Sequence, residues 1–216
     1  RDAGATWQRM TGLDVTATPN GVGIVFVLPD AGRRLYVGVS RYGSVGPNLY
    51  RSDDGGATFA PVAGTPRDLM PHRAALDGQG NLYVTFANGA GPHPDKAGKE
   101  PVDRGGVWKY AIAARAWTDV TPRGPRTAFS GISVDRNDPR RVRATTINTF
   151  LPQGDAEERA KGDRIYLSQD GGASWTDVVA RGFAKDTAGI DWIRGHGIHW
   201  TGSIAFDPFD GRAAWV

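Results

Sequence analysis

Two matching stretches of the sequence decide the fold: "LYRSDDGGATFAPV" (Leu49–Val62) and "IYLSQDGGASWTDV" (Ile165–Val178). Both follow the frame Ser-x-Asp-x-Gly-x-Thr/Ser-aromatic, with short apolar runs on either side of an acid-glycine turn. A short carboxylate can accept hydrogen bonds from the N–H groups of a turn, and glycine adopts the positive-φ positions. The frame therefore predicts a β-hairpin whose aromatic residue buries a large surface between neighbouring sheets.

The aromatic residue that ends the frame recurs along the chain. Trp7, Phe59, Trp117 and Trp175 are separated by 52, 58 and 58 residues, and each begins a similar segment: "WQRM", "FAPV", "WTDV" and "WTDV". The third copy, "GGVWKYAIAARAWTDV", keeps the flanking strands but has lost the acid-glycine turn. A period of this length is typical of a structural repeat.

Each period divides into four short alternating or β-branched runs, which predict four strands. In the first period the runs are "GIVFV" (23–27), "LYVGVS" (35–40), "NLYRSD" (48–53) and the segment that begins at Phe59. Four strands per repeat are typical of a β-propeller blade. We therefore predict an all-β fold, an incomplete β-propeller of four-stranded blades. The predicted full blades are 23–62, 73–120 and 131–178, and the partial blades are 1–10 and 203–216.

Both ends of the sequence fall inside a repeat. The chain opens on "RDAGATW", the second half of the frame, and stops at "AAWV", two strands into a blade. Propellers normally close a ring of four to eight blades. We therefore expect the chain to be part of a larger propeller.

Composition excludes several classes of protein. With 39% hydrophobic and 23% charged residues among 216, the chain can bury a core. The net charge is only +3 and the basic residues are scattered among acids, which argues against a nucleic-acid partner. Cysteine is absent, which excludes disulfides and thiolate chemistry. No apolar run reaches the roughly 18 residues of a membrane span, so no membrane partner is expected.

The acid-glycine frame has a structural interpretation as the Asp-box of bacterial neuraminidase-type repeats. It lacks the run of ligands that an EF-hand loop carries, so neither a metal nor another cofactor is expected. The residues assigned to this structural role are Asp2, Gly4, Trp7, Ser52, Asp54, Gly56, Thr58, Phe59, Ser168, Asp170, Gly172, Ser174 and Trp175.

Loop length separates the two ends of the predicted blades. The first and third turns of each blade are short and share one end, whereas the other connections are long: Asn88–Gly105, Asn148–Asp163 and Ala180–Thr201. Functional residues are commonly carried on loops that a rigid scaffold positions. We expect a ligand on the long-loop face and the acid-glycine turns on the opposite face.

Several residues of the long-loop face are candidate ligands. Trp192 and Trp200 could stack on a sugar or fill the core. His72 precedes an inner strand and is either a binding or a structural histidine. His196 and His199 are spaced for zinc but have no evident third ligand. Paired carboxylates could hydrolyse glycosides, yet nothing singles out a pair, so no catalytic residue is assigned.

Three segments in order, "NGAGP" (88–92), "GGVWKY" (105–110) and "DPFD" (207–210), carry a family resemblance. With the acid-glycine frames, they make the chain similar to glycoside hydrolase family 74, the xyloglucanases and related β-1,4-glucanases. The resemblance implies two seven-bladed propellers with a polysaccharide cleft between them, and this chain resembles the latter half of the first. It also implies an inverting mechanism with two aspartates in D-I-G-G-type segments, which do not occur here. The fragment alone is therefore expected to be inactive.

The resemblance also implies a set of cleft residues, a partner and a location. The expected partners are xyloglucan or another β-glucan and the second propeller of the same polypeptide, in a secreted or periplasmic protein. Two alternatives stay open: a non-catalytic propeller that binds glycans or proteins, and a sialidase, which would need an arginine triad and a Tyr/Glu pair. The implied cleft residues are His72, Asn88, Gly89, Pro92, Trp192 and Trp200.

Overall fold

The computed structural model describes the chain in eight ranges. These are residues 4–13, 22–41, 46–66, 68–89, 102–124, 127–147, 163–178 and 202–216. Every regular element within them is a β-strand and none is helical, which confirms the predicted all-β fold. No candidate for a membrane-spanning helix is found within these ranges.

The described strands form three four-stranded antiparallel sheets and one two-stranded sheet. In each sheet the strands pair in chain order, as in a simple meander. The strands are β1 Val22–Pro29, β2 Leu35–Arg41, β3 Leu49–Ser52, β4 Ala60–Pro61, β5 Met70–Leu76, β6 Asn81–Ala87, β7 Gly105–Ala111, β8 Ala116–Asp119, β9 Ala128–Val134, β10 Val142–Ile147, β11 Ile165–Ser168, β12 Thr176–Asp177, β13 Ala205–Phe206 and β14 Ala214–Trp215.

The inner strands β5 and β9 begin three residues earlier than the sequence pattern suggested. Met70 pairs with Ala87 and Pro71 with Phe86, so β5 continues through a proline. Proline cannot donate to a ladder, but β5 lies at the edge of its sheet, where a missing donor costs little.

The core lies between successive sheets, which pack face to face. Along β6, Leu82, Val84 and Phe86 pack in a cluster with Tyr36 of the first sheet. The alternate residue Tyr83 packs instead with residues of the third sheet. Because side chains alternate across a strand, these contacts show that β6 is buried on both faces, and its sequence from Leu82 to Ala87 is apolar except for Thr85.

Two tryptophans each join one four-stranded sheet to the sheet that precedes it in the chain. The Trp117 indole N–H donates to the backbone oxygen of Ala63 at 2.9 Å, just after β4. The Trp175 indole N–H donates to the backbone oxygen of Val120 at 2.7 Å, just after β8. Trp7, at the start of the described chain, is 89% exposed. The repeat thus places one aromatic side chain at each described boundary between four-stranded sheets.

The turn Ser52–Phe59, here called the first acid-glycine turn, is closed by its own side chains. Asp54 Oδ1 accepts hydrogen bonds from the N–H groups of Ala57 and Thr58 at 2.9 and 3.0 Å. The Thr58 hydroxyl donates to Asp54 Oδ2 at 2.6 Å, and Ser52 Oγ accepts the N–H of Gly56 at 2.8 Å. The hydrogen bonds from Thr58 and Ser52 hold the pKa of Asp54 well below its usual value.

The second acid-glycine turn, Ser168–Trp175, repeats this arrangement. Asp170 accepts from the N–H and the hydroxyl of Ser174 at 2.8 and 2.6 Å, and Gly172 N–H donates to Ser168 Oγ at 2.8 Å. Hydrogen bonds from Ser174 and Ser168 lower the pKa of Asp170 to about 2. Gly172 has a φ of 92°, a left-handed conformation that suits glycine.

Candidate functional site

The sheets have two unlike ends. In each four-stranded sheet the first and third hairpins lie together, and we call this the turn end. The opposite end, where the long connections leave the sheets, is the loop end. The backbone hydrogen bonds that join the hairpins at the turn end are Gly55 N to Arg33 O at 2.8 Å, Ile112 N to Gly80 O at 2.9 Å and Gly171 N to Arg140 O at 2.8 Å.

At the loop end, Asn88 closes the long connection between β6 and β7. Its Oδ1 accepts hydrogen bonds from the N–H groups of Asp103 and Arg104 at 3.0 and 2.9 Å. Its own N–H donates to Arg104 O at 2.8 Å. Gly89 packs so closely that an added Cβ would lie 2.3 Å from Val102 Cγ2, so this position requires glycine. The two ends of the connection are therefore held together.

A β-bulge shapes the inner strand on which His72 stands. The register of β5 on β6 shifts at this residue, and the displaced Arg73 N–H donates to Thr85 Oγ1 at 3.1 Å. The third sheet repeats the device, since Gly131 N–H donates to Thr145 Oγ1 at 2.9 Å next to a bulge. Bulges redirect side chains, and here they place His72 and Ser130 on adjacent inner strands.

His72 and Ser130 form a polar thread with the backbone oxygens of Gly89 and Gly202. His72 Nε2 donates to Gly89 O at 2.7 Å, and His72 Nδ1 lies 3.4 Å from Ser130 Oγ. Ser130 Oγ in turn lies 3.1 Å from Gly202 O, just before β13. The thread thus spans three sheets at the loop end.

The surroundings of His72 favour the neutral imidazole over the charged one. The side chain is 8% exposed, and burial lowers its pKa below the usual histidine value. Both ring nitrogens face partners within the protein, so in the described structure the imidazole supports the Asn88–Gly89 backbone. Direct contact of His72 with a ligand remains a prediction.

The remaining sequence candidates fall outside the described residues. Pro92 lies in the connection that Asn88 closes, and Trp192 and Trp200, with His196 and His199, lie in 179–201. Gly202, the first described residue after that segment, belongs to the polar thread. Of the implied cleft residues, the structure therefore brings His72, Asn88 and Gly89 together.

Sequence reasoning missed a buried acid at the loop end of the third sheet. Asp163 is 1% exposed, and its Oδ1 accepts the Thr146 hydroxyl at 3.1 Å. Thr146 Oγ1 also accepts the Arg164 N–H at 2.8 Å, and the Arg164 guanidinium pairs with Asp177 at 2.9 Å. The available signal was the adjacent acid and base, Asp163–Arg164, directly before β11.

The hydroxyls that support the bulges were also missed. Thr85 and Thr145 occupy matching positions in "LYVTFA" and "VRATTI", so an alignment of the repeats contains the signal. At the loop end, the described connections are anchored by hydrogen bonds of the Asn88, His72 and Thr146 side chains. Within the described ranges, no group of three or more His, Asp or Glu side chains is placed to hold a metal.

Sequence comparison relates the chain to part of several longer proteins. A xyloglucanase of a Paenibacillus species is 30% identical over 200 aligned residues, which cover 82% of this chain and 18% of that protein. A xyloglucanase of Acetivibrio thermocellus is 32% identical over a region that covers 82% of this chain and 22% of that protein. No protein-family model matches the chain.

Structure comparison gives the same relationship. The GH74 xyloglucanase of Xanthomonas campestris superimposes with a TM-score of 0.71 at 31% identity, covering 89% of this chain and 26% of that one. A GH74 enzyme of Niastella koreensis superimposes with a TM-score of 0.68 at 35% identity, covering 90% of this chain and 28% of that one. The chain thus spans between 18% and 28% of the length of these relatives.

Proposed function

Because this chain belongs to glycoside hydrolase family 74, we propose that it forms part of the polysaccharide cleft of a hydrolase acting on xyloglucan or a related β-1,4-glucan. In this proposal the loop end is the substrate side. The acid-glycine turns fasten the sheets at the other end and take no part in binding the glucan.

The observation that carries the proposal is the polar thread. It fixes the backbone at Gly89, where the β6–β7 connection begins, to the inner strands of two sheets through His72 and Ser130. Asn88 then ties the start of the same connection to its end. A polysaccharide cleft needs loops held in a fixed arrangement, because ordering them on binding would reduce the affinity.

The proposed reaction is hydrolysis with inversion by a general acid and a general base. Two carboxyl groups roughly 6.5–9.5 Å apart leave room for the attacking water. We assign neither group to this chain. Its part in the reaction is to bind and orient the glucan, so that the scissile bond lies between those carboxyl groups.

The reaction is tested with the intact protein on xyloglucan, on unbranched β-1,4-glucan and on a sialoside. We expect reducing ends to be released from xyloglucan, with proton NMR showing the inverted anomer as the first product. Release of sialic acid would favour the sialidase alternative. Binding of xyloglucan without any cleavage would favour a non-catalytic propeller.

The role of the loop end is tested by Asn88→Ala, with Asn81→Ala at the opposite end of β6 as the matched control. Loss of the Asn88 hydrogen bonds should raise KM on xyloglucan about fivefold, the equivalent of one hydrogen bond. Asn81 binds Asp77 at the turn end, so its removal should leave KM unchanged. Equal effects of the two variants would contradict the placement of the substrate.

A polysaccharide substrate also suggests where the protein works and what completes the site. We propose that it is secreted or periplasmic and that a second propeller of the same polypeptide supplies the other wall of the cleft. Cell fractionation with an antibody tests the location. The proposed secreted or periplasmic location is wrong if the protein is recovered only with a cytoplasmic marker.

A further inference from the structure

A groove of about 760 Å³ lies between the second and third four-stranded sheets, along β8 and the second acid-glycine turn. One wall is the outer part of the second sheet, including Lys109 and Thr118. The other wall is the second acid-glycine turn with Trp175. The volume lies within the range of small-molecule binding sites, roughly 300–1,000 Å³.

Two cations line this groove without a carboxylate partner in the described part of the chain. The Lys109 ammonium lies 5.4 Å from the centroid of the Tyr83 ring and packs beside Gly171. Arg123 is exposed on the same lining, just after β8. Among the described residues, neither side chain forms an ion pair or a hydrogen bond. Both therefore have donors directed at solvent or at a ligand.

The two carboxylates of the lining are already used by local turns. Asp170 accepts hydrogen bonds from Ser174 and Ser168. Asp119 Oδ1 accepts a hydrogen bond from the Thr121 N–H at 2.9 Å and another from the Thr121 hydroxyl. Both acids keep their charge, but their oxygens already accept hydrogen bonds within their own turns, whereas the donors of the two cations have no acceptor in the described part of the chain. The groove therefore offers free hydrogen-bond donors to a ligand that carries acceptor oxygens, such as a carboxylate.

The groove also has an apolar wall. The indole of Trp175 is half-buried there, with its N–H committed to Val120 O. Val120 and Ala111 extend this surface, and the hydroxyls of Thr118 and Thr121 stand beside it. Aromatic faces pack against the C–H faces of sugars, whereas hydroxyls and cations bind sugar oxygens and carboxylates.

We propose that this groove binds an acidic saccharide, with one uronate carboxylate at Lys109, another at Arg123, and a sugar ring against Trp175. The site is separate from the cleft of the proposed function, since its lining consists of the first residue of β6, parts of β7 and β8, the residues just after β8 and the second acid-glycine turn, and it includes none of His72, Asn88 and Gly89. An oligosaccharide of two or three units fits its volume. The protein would thus hold an acidic polysaccharide on one side and act on a neutral glucan on the other.

The test is calorimetric titration of the intact protein at low ionic strength with digalacturonate, cellobiose and sodium sulfate. We expect digalacturonate to bind at least about tenfold more tightly than either of the others, and its affinity to fall as salt is added. Lys109→Gln and Arg123→Gln should each weaken digalacturonate binding about tenfold. Lys109→Arg should retain most of the affinity.

Arg136→Gln serves as the matched control, because Arg136 is an exposed cation outside the groove and should not affect binding. Thermal unfolding of each variant establishes that it is folded. Equal affinity of the wild type and Lys109→Gln would overturn the proposal. Sulfate binding as tight as that of digalacturonate would also overturn it, because it would indicate a general anion site. Equally tight binding of cellobiose would overturn it too, because it would show that the charge is irrelevant. Xyloglucan hydrolysis is measured separately and should be unchanged in Lys109→Gln.

Discussion

The hydroxyl of Tyr83 donates a hydrogen bond to the backbone oxygen of Gly171 at 3.0 Å, which ties the second sheet to the second acid-glycine turn. Tyr36 holds the matching position in the first sheet, but its buried hydroxyl has no hydrogen-bond partner among the described residues. The hairpin next to Tyr36, which includes Ile112, belongs to the copy that has lost the acid-glycine turn. Loss of the turn in one repeat thus leaves a donor unpaired in the neighbouring sheet.

This contrast predicts opposite effects of the same substitution. Tyr83→Phe removes a made hydrogen bond and should lower the free energy of unfolding by about 1 kcal/mol. Tyr36→Phe removes a buried hydroxyl that lacks a partner, so it should be neutral or stabilising. Denaturant unfolding of both variants measures the difference. Equal losses would mean that Tyr36 has a partner, such as a buried water.

The acid-glycine turns predict a loss of stability in acid. The pKa of Asp170 is about 2 in the folded chain, against about 3.9 for an unfolded aspartate. The unfolded chain therefore binds more protons between these values, so stability should be full above about pH 4 and fall toward pH 2. Asp54, whose pKa is also lowered, contributes in the same direction.

Asp170→Asn should reduce this dependence, because the amide does not titrate. Unfolding measured from pH 2 to pH 6 should give a shallower curve for the variant than for the wild type. Asp68→Asn is the control, since Asp68 is exposed and lies outside the turns. A curve for Asp170→Asn as steep as that of the wild type would assign the acid sensitivity to other groups.

The indole contacts between sheets predict a cost for Trp175→Phe. Phenylalanine keeps a ring but loses the N–H bonded to Val120 O, so unfolding should become easier by about 1–2 kcal/mol. Trp7→Phe is the matched control, because Trp7 is 89% exposed, and it should change stability by less than about 0.5 kcal/mol. Similar values for the two variants would show that the indole bond contributes little.

A close approach in the first sheet predicts a steric penalty for Gly38→Ala. An added Cβ would lie 2.3 Å from Cε1 of Phe26, so the ring must move, at a cost of about 1–3 kcal/mol. Phe26→Leu should relieve part of this penalty in the double variant. A double-mutant cycle by denaturant unfolding measures the coupling, and strictly additive effects would exclude the contact as the cause.

The sequence predicted what depends on local pattern. Alternating runs identified the strands, and the frame around Asp54 and Asp170 identified two hairpins. A further local signal was overlooked: an aspartate directly follows the inner strand of every described sheet and accepts hydrogen bonds within the next turn. These aspartates are Asp30, Asp77, Asp135 and Asp207.

The polar thread could not be predicted in the same way. His72 and Ser130 are 58 residues apart, and they meet because bulges in two different sheets turn them toward each other. Sequence alternation reports the face on which a residue lies but not a shift in register against the neighbouring strand. The family resemblance selected His72, Asn88 and Gly89 but gave no indication that Ser130 or Thr85 supports them.

The direction of the indole contacts has a consequence for how the chain is made. Trp117 reaches back to Ala63 and Trp175 reaches back to Val120, so the acceptor always leaves the ribosome before its donor. Each newly synthesised sheet can therefore dock onto the sheet that precedes it, so these contacts are compatible with assembly in the order of translation.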